Sequence, residues 1–158
     1  MRAVVQRVKS ASVTVDDAVV SSIGPGLVVL VGIGGDDTEE DAEYVAGKCL
    51  PPEGVGGAKN WDGAKPWDRS VMDIDGEVLF VSQFTLHGYF KGNRPDFHRA
   101  MDPERAKAFY RDFLAIARER VYAGKGTRIK DGIFGAKMDV ALVNDGPVTL
   151  LMDSRDRK

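Results

Sequence analysis

The chain has 158 residues, of which 43% are hydrophobic and 29% charged, and its formal net charge at pH 7 is −2. This length fits one domain with a buried core, and the charge excludes a global field that draws the protein to nucleic acid, so RNA contact requires a local basic patch. The single cysteine, Cys49, excludes an intramolecular disulfide framework. Because the N-terminal region also lacks the apolar run of a signal peptide, we expect one compact cytoplasmic domain over residues 1–158.

Strand-like patterns dominate the first fifty residues. Short β-branched runs at 2–8 and 11–15 predict two strands, and the run at 19–23 predicts a third. The run at 27–33 is apolar on both faces, which is typical of a central strand covered on each side. Apolar residues at helical spacing then predict a helix over 38–50, with acidic residues in its first turn, where the helix dipole favours negative charge.

The middle of the chain is rich in turn signals. Residues 51–69 combine prolines, glycines and two tryptophans, and we interpret them as an ordered loop or short hairpin, because tryptophans need a surface to pack against. Asp75-Gly76 is a strong turn signal that predicts a hairpin between strands at 71–74 and 77–84. The glycine-rich turns lack the spacing of a P-loop or a dinucleotide motif.

A second helix and three strands are predicted in the last third. The loop at 87–99 mixes aromatic and basic residues and leads to Asp102 and Pro103, which predict the start of a helix that extends to about residue 121. We assign the apolar stripe of this helix to core packing. Three further strands are predicted near residues 127–131, 137–143 and 147–152, and residues 154–158 form a charged tail.

The common catalytic arrangements find little support in the residues themselves. The two histidines, His87 and His98, have no nearby pattern of metal ligands, and no GxSxG motif places Ser82 in a hydrolase triad. On an extended strand, Thr85 and His87 would share one face at a separation of about 7 Å, which is too far for a direct hydrogen bond. A nucleophilic role for Thr85 or Ser82 therefore stays open, without a general base to support it.

One late stretch, Asn144-Asp145-Gly146-Pro147-Val148-Thr149, lies between two apolar runs. Asn, Asp and Gly tolerate positive φ, and Pro cannot donate a ladder hydrogen bond, so local chemistry favours a simple turn. A cis Gly146-Pro147 bond is the alternative, although only a minority of X-Pro bonds are cis.

Taken together, Ser82-Gln83-Phe84-Thr85-Leu86 and Asn144-Asp145-Gly146-Pro147-Val148-Thr149 resemble the two signature motifs of the D-aminoacyl-tRNA deacylases. Four further stretches resemble that family in order and spacing, namely residues 3–8, 26–32, 91–97 and 134–138. The resemblance covers nearly the whole chain. It departs between Pro51 and Lys65, where prolines and glycines replace a strand that starts with an Asn-Leu-Arg-type sequence, so the family's strand and substrate contacts in that segment are in question.

The resemblance implies a fold and an activity. The implied fold is an α/β domain with a curved, mostly antiparallel, barrel-like sheet and two main helices, which forms a homodimer with active sites at the interface. The implied reaction is hydrolysis of the ester that joins a D-amino acid, or glycine, to the 3′ end of tRNA, a proofreading step in translation. The implied partners are aminoacyl-tRNA and a second copy of the chain, and no metal or cofactor is implied.

The resemblance also assigns roles to residues. The Gly146-Pro147 bond is expected to be cis and to reach into the partner's site, where its carbonyl groups meet the substrate's amino group and exclude an L side chain. Backbone N–H groups at Phe84 and Thr85 are expected to stabilise the oxyanion, with Ser82 and Gln83 holding the loop and the substrate.

Other positions are expected to bind the RNA or to support the motifs. Phe134 and Met138 match the pocket for the terminal adenine, where an aromatic or soft apolar face stacks on a base. The residues expected to support the motifs are Arg7, Asn144 and Thr149. The residues expected to contact RNA phosphates are Lys91, Arg94 and Arg99.

We favour attack by water assisted by the 2′-OH of the terminal ribose, because nothing in the sequence supplies a base for Thr85. Two alternatives remain. One is a non-catalytic RNA-binding module that uses the loop at 89–99. The other is an esterase of a different small substrate that uses Thr85 or Ser82 as its nucleophile.

Overall fold

The computed structural model describes residues 1–51 and 59–157, apart from the side chains at 120 and 121. The strands are β1 (Arg2–Val15), β2 (Ala18–Ile23), β3 (Gly26–Gly32), β4 (Glu77–Ser82), β5 (Tyr89–Lys91), β6 (Arg94–Asp96), β7 (Ile129–Asp131) and β8 (Asp139–Asp153). The helices are α1 (Glu39–Cys49) and α2 (Pro103–Ala115). Within the described ranges, no helix is long and apolar enough to cross a membrane.

The main sheet has the order β2-β1-β3-β4-β7, with β8 paired to the free side of β1, and it curls into a nearly closed, barrel-like form. Its central strand β3 is buried on both faces, as predicted. Leu27 and Val29 face a core shared with both helices, whereas Val28 faces a second core inside the curved sheet. Alternating side chains on an apolar strand fill both cores at once.

The antiparallel character that we expected holds for the pairs that involve β1, but β3–β4 and β4–β7 are parallel. Each parallel pair is connected through a helix, α1 or α2, because a parallel connection needs a crossover. The predicted hairpin between 71–74 and 77–84 is therefore wrong. Residues Ser70 to Asp75 form local turns instead, in which the Ser70 amide donates to the Asp73 carboxylate at 2.6 Å and the Gly76 amide to the Val71 carbonyl at 2.8 Å.

Two pairs of predicted strands are single strands. The runs at 2–8 and 11–15 are joined as β1, and irregularities in its pairing with β8 on both sides of Val8 absorb the interruption at Lys9-Ser10. The runs at 137–143 and 147–152 are joined as β8, which passes through Pro147 without ending. Proline is tolerated there because β8 is an edge strand that pairs only with β1 among the described strands.

Both helices begin where the sequence predicts. Thr38 caps α1, and the Asp41 carboxylate accepts from the Thr38 amide at 2.9 Å, which completes a capping box. Burial acts to raise the pKa of Asp41, but hydrogen bonds from the Thr38 amide and Ser154 and the N-terminal charge outweigh it and hold that pKa below its usual value. Asp102 caps α2 by accepting from the Glu104 amide at 3.1 Å. A π-helical turn, Ile116–Val121, then extends α2 to the predicted end.

The segment predicted as a loop or hairpin is described in part, because residues 52–58 lie outside the described residues. Trp61 and Arg69 form an antiparallel bridge, with hydrogen bonds of 3.1 and 2.9 Å between their backbones. At the C-terminus, Arg155 and Arg157 contact the buried carboxylates of Asp37 and Asp41, at 3.3 and 3.1 Å respectively. These arginines therefore pack against the start of α1.

Candidate active site

The first signature motif begins where β4 ends. The Gln83 amide donates to the Val31 carbonyl at 2.7 Å, and the chain then leaves the sheet and forms a 3-10 turn over Phe84–His87. The prediction that the strand continues to residue 84 is wrong. Arg2 on β1 supports the turn by donating to the Leu86 carbonyl at 3.0 Å. We call residues 82–88 the catalytic turn.

The catalytic turn leaves backbone donors unused. The amides of Phe84 and Thr85 donate no hydrogen bond within the part of the chain that the structure describes. This follows from geometry, since the first N–H groups of a helical turn have no partner inside the turn. Phe84 and Thr85 are exposed residues, and their two adjacent N–H groups are the candidate donors to a ligand oxygen.

The side chains of the catalytic turn show no nucleophile–base pair among the described residues. The Gln83 side-chain amide donates to the Thr85 hydroxyl, and an amide cannot accept that hydroxyl's proton. His87 Nε2 lies 3.2 Å from the Gly32 carbonyl, so its ring is held against β3. Burial lowers the pKa of His87. The contacts therefore agree with the expectation that His87 is not a base for Thr85. The reason given for that expectation was wrong, because it assumed an extended strand and these residues form a 3-10 turn.

A cavity of about 590 Å³ opens beside the catalytic turn, and we call it the main cavity. Ser82, Gln83 and Phe84 of the catalytic turn are part of its wall, and so are Phe134 and Met138. The rest of its wall is largely apolar and comes from β3, β4, β8, α2 and the connecting loops, namely Val31, Ile33, Val81, Phe97, Ala100, Met101, Asp102, Pro103, Ala106, Gly135, Ala136 and Val140. This volume and lining are typical of small-ligand sites.

Phe97 is a wall residue to which the sequence analysis assigned no role. Its ring meets Phe84 edge to face, with centroids 5.2 Å apart. Asp96, the neighbouring residue, accepts from the backbone and ring of His98, and these hydrogen bonds lower the pKa of Asp96 to about 2. Its place in the sequence, as an aromatic residue at the end of a basic loop, could have marked Phe97 as a candidate site residue.

Phe134 reaches the main cavity from the connection between β7 and β8. Gly135 adopts a φ of +77°, which an L side chain rarely adopts, and this turns the chain directly after Phe134. The Phe134 ring packs on Tyr110 of α2, with centroids 5.7 Å apart. Phe134 is thereby held on one side by the helix and presents its other side to the cavity.

The second signature motif lies elsewhere on the same chain. The Gly146-Pro147 bond is cis, as expected, and both residues are exposed on β8. Neither residue is part of the wall of the main cavity. The Asn144 side-chain oxygen accepts from the Val148 amide at 3.0 Å, which closes the backbone across the Gly-Pro pair.

Arg7 contacts the Gly-Pro stretch from β1. Its Nε donates to the Asp145 carbonyl at 3.0 Å and lies 3.4 Å from the Asp145 carboxylate, and its Nη1 donates to the Asn60 carbonyl. Thr149 contacts the neighbouring residue of β1 instead, because its hydroxyl lies 3.5 Å from the side-chain amide nitrogen of Gln6. The backbone before Gly146 is thus tied to both β1 and the segment that contains Asn60.

The candidate phosphate contacts lie on or beside the hairpin of β5 and β6. Lys91 and Arg94 face each other at its tip and are exposed. Arg99 lies over the Tyr89 ring, 4.2 Å from its centroid. Phe97, which lines the main cavity, follows the hairpin directly in the chain, whereas the three cations are not part of the cavity wall. Among the described residues, no cluster of His, Cys, Asp and Glu could hold a metal ion.

Comparison with known proteins gives one consistent family. The family model described as "D-Tyr-tRNA(Tyr) deacylase" matches residues 4–153. A Dictyostelium discoideum protein named D-aminoacyl-tRNA deacylase is 54% identical, over 99% of this chain and 100% of its own length. A Bacillus velezensis protein of the same name is 47% identical, over 98% of this chain and 99% of its own.

Solved structures share the fold. A protein described as "c-Myc DNA Unwinding Element Binding Protein" superposes with a TM-score of 0.87 and 45% identity, over 97% of this chain and 98% of its own. A probable eukaryotic D-amino acid tRNA deacylase superposes with a TM-score of 0.79 at 18% identity, over 96% and 97% of the two chains, which supports the fold alone. With a family model that spans nearly all of its length and full-length relatives near 50% identity, the chain belongs to the D-Tyr-tRNA(Tyr) deacylase family.

Proposed function

We propose that this protein hydrolyses the ester bond of D-aminoacyl-tRNA and releases a free D-amino acid and tRNA. The family and the names of its full-length relatives support this activity. The structural observation that carries the proposal is the pair of unused amides at Phe84 and Thr85, beside a cavity large enough for an aminoacylated nucleoside. Backbone N–H groups fixed near a reacting carbonyl stabilise the oxyanion that forms when the ester is attacked.

The nucleophile in this proposal is water. Thr85 contacts an amide rather than a base, and His87 is held against the Gly32 carbonyl. Activation of the water falls to the 2′-OH of the terminal ribose, which lies next to the ester in any aminoacyl-tRNA. The protein contributes orientation and the oxyanion donors. The leaving group is the 3′ oxygen of the ribose, which takes up a proton as the ester bond breaks.

The terminal adenine binds between Phe134 and Met138 in this proposal. Both side chains line the main cavity, whose wall also includes residues 82–84 of the catalytic turn, and Phe134 is backed by Tyr110. An aromatic ring and a thioether supply the flat, polarizable surface on which a base stacks. Binding the adenine there leaves the ester end of the substrate beside Phe84 and Thr85.

Chirality is read by a second copy of the chain. Gly146 and Pro147 lie outside the wall of their own cavity, on an edge strand that also exposes Val143 and Leu151, the latter at 84%. An exposed apolar edge strand favours association with another chain. In a homodimer formed through β8, each Gly-Pro pair reaches the partner's site, and its carbonyl groups accept the substrate's amino group. An L side chain then meets backbone, whereas a D side chain or glycine does not.

Lys91, Arg94 and Arg99 contact tRNA phosphates beyond the terminal nucleoside. Their place on the exposed hairpin beside Phe97 supports this role. Cations grouped on one hairpin can attract RNA even though the whole chain has a slightly negative charge.

One assay tests the activity. D-tyrosyl-tRNA, L-tyrosyl-tRNA and glycyl-tRNA are offered separately, and ester hydrolysis is followed by loss of labelled amino acid. We expect rapid loss from the D and glycyl substrates and little from the L substrate. Hydrolysis of none would refute the deacylase activity, and equal loss of D and L would refute the chirality reading. Thr85→Ala should keep its activity, because only the backbone of Thr85 acts; loss of turnover with unchanged binding would restore the nucleophile alternative.

A second experiment tests the site shared between two copies. Phe134→Ala damages the cavity and Gly146→Ala damages the Gly-Pro motif, so each homodimer alone should be inactive. Mixed after dissociation, the two variants form heterodimers with one intact site, and about a quarter of wild-type activity is expected from random pairing. No recovery on mixing, with heterodimers verified by mass spectrometry, would place the complete site in one chain.

The non-catalytic alternative has one observation in its favour. The solved structure described as a DNA unwinding element binding protein is 45% identical to this chain, and the exposed Phe90 and its neighbouring cations suit contact with a single strand. Binding of single-stranded DNA by a protein that hydrolyses no aminoacyl-tRNA would favour this alternative.

A further inference from the structure

A second cavity, of about 440 Å³, adjoins the main cavity. Phe134 lines both cavities, so its ring is a wall that they share. Helix α2 also lines both, with Pro103 and Ala106 in the main cavity and Lys107 and Arg111 in the second. From Ala106 to Arg111 the helix rises about 7.5 Å, of the order of one nucleotide in an extended strand.

The charges around the second cavity suit a phosphodiester. Lys107 and Arg111 are four residues apart, so they lie on the same face of α2, and both are exposed. Lys107 forms no ion pair within the described residues, and Arg111 contacts only the exposed carboxylate of its neighbour Asp112, at 2.9 Å. Arg118 lies deeper and is held by Asp131 at 3.0 Å. The two outer cations are therefore available to a ligand, while the inner pair is internally balanced.

The lining between these cations is apolar. Leu114 and Phe134 form part of the wall, which offers a surface for a base beside a site for a phosphate. Cations next to an aromatic face are the combination that binds single-stranded nucleic acid without reading its sequence. The lining holds three cations, Lys107, Arg111 and Arg118, and two carboxylates, Glu104 and Asp131, so its excess is one positive charge.

Resting on the proposed function, we propose that the second cavity binds the nucleotide that precedes the terminal adenosine of tRNA, and that Lys107 and Arg111 hold the phosphate between these two nucleotides. A strand whose last base stacks on Phe134 in the main cavity can place its preceding nucleotide in the second cavity, which shares Phe134 as a wall residue, and phosphates further along the strand then fall to the hairpin cations. Because all tRNAs end in CCA, a subsite for this cytidine serves every tRNA alike and favours tRNA-borne esters over free aminoacyl-nucleosides.

The experiment compares three substrates that carry the same D-amino acid, on adenosine, on the dinucleotide cytidylyl-adenosine and on full-length tRNA. The quantity measured is the ratio of kcat/KM for the dinucleotide to that for adenosine. We expect a ratio of about 10 or more in the wild type, carried by KM. In Lys107→Ala and Arg111→Ala the ratio should fall several-fold, and the salt dependence of dinucleotide binding should weaken by about one phosphate contact.

Arg105→Ala is the matched control, since it removes one exposed cation from the same helix at a position outside both cavities. It should keep the wild-type ratio. A wild-type ratio near one would overturn the subsite while leaving the deacylase activity intact, and so would equal effects of Arg105→Ala and the other two variants. A wild type that hydrolyses none of the three substrates would refute the proposed function itself, and with it this occupant.

Discussion

Gly32→Ala tests whether the position of the catalytic turn sets the rate. Gly32 ends β3 directly behind the turn, and a Cβ there would lie 2.8 Å from the Leu86 Cβ and 3.0 Å from the Gln83 carbonyl. Ordinary contacts begin near 3.4 Å, so the turn must move outward by about 0.6 Å, the difference between 3.4 and 2.8 Å. Since displacements approaching 1 Å in a catalytic group cost about 100-fold, we expect kcat to fall by about 10- to 100-fold.

The fold should survive this substitution. Overpacking of this size costs about 1–3 kcal/mol, which corresponds to a decrease in Tm of roughly 2–12 °C for a chain of this length. Gly47→Ala is the control, because a Cβ at Gly47 of α1 meets nothing within 4 Å and alanine favours a helix. The assay is single-turnover hydrolysis of D-tyrosyl-tRNA well below both Tm values. A Gly32→Ala protein with wild-type kcat would refute the role of the Phe84 and Thr85 amides.

Three further substitutions test other parts of the site. Gly146→Ala should destabilise the fold by about 1–3 kcal/mol in chemical denaturation and abolish hydrolysis of D-tyrosyl-tRNA by the homodimer, because Gly146 has a φ of +122° and its Cβ would lie 2.9 Å from Val148 Cγ2. If the chain dimerises through β8, as proposed, Leu151→Glu should be an inactive monomer in light scattering, whereas a dimeric, active variant would contradict association through β8. His87→Gln should flatten the pH dependence of urea stability. The pKa of His87 is lower in the folded protein than in the unfolded chain. Below about pH 6.5 the unfolded chain therefore binds more protons, and wild-type stability decreases as the pH is lowered through this range.

The central strand and both helices were predictable because their signals are long and agree with their surroundings. The hairpin at Asp75-Gly76 was not, although its turn signal is genuine, since Asp75 adopts a φ of +53°. Strand partners are chosen by the whole fold, and α1 provides a crossover that places β4 beside β3 in parallel. A local turn signal carries no information about that choice.

The site shows the same limit. Phe84, Thr85 and Leu86 are residue types that are common in strands, yet the chain leaves the sheet after Gln83, whose backbone N–H still donates to the Val31 carbonyl, and forms a 3-10 turn. The two signature motifs were identified by resemblance, because no spacing rule connects residues 82–86 with 144–149. The apolar stripe of α2 was correctly assigned to the core. The second cavity depends on Lys107 and Arg111, whose proximity to Phe134 appears only after folding.

The proposed mechanism assigns its chemistry to main-chain atoms, and that changes which substitutions are informative. The amides of Phe84 and Thr85 and the carbonyl groups of Gly146 and Pro147 are present whatever side chains those residues carry. Removing a side chain from the catalytic turn therefore removes little chemistry, whereas adding one methyl group at Gly32 or Gly146 displaces the acting atoms. A scan that replaces side chains by alanine would miss such a site at Thr85 and detect it at the two glycines. This contrast separates main-chain catalysis from a side-chain nucleophile.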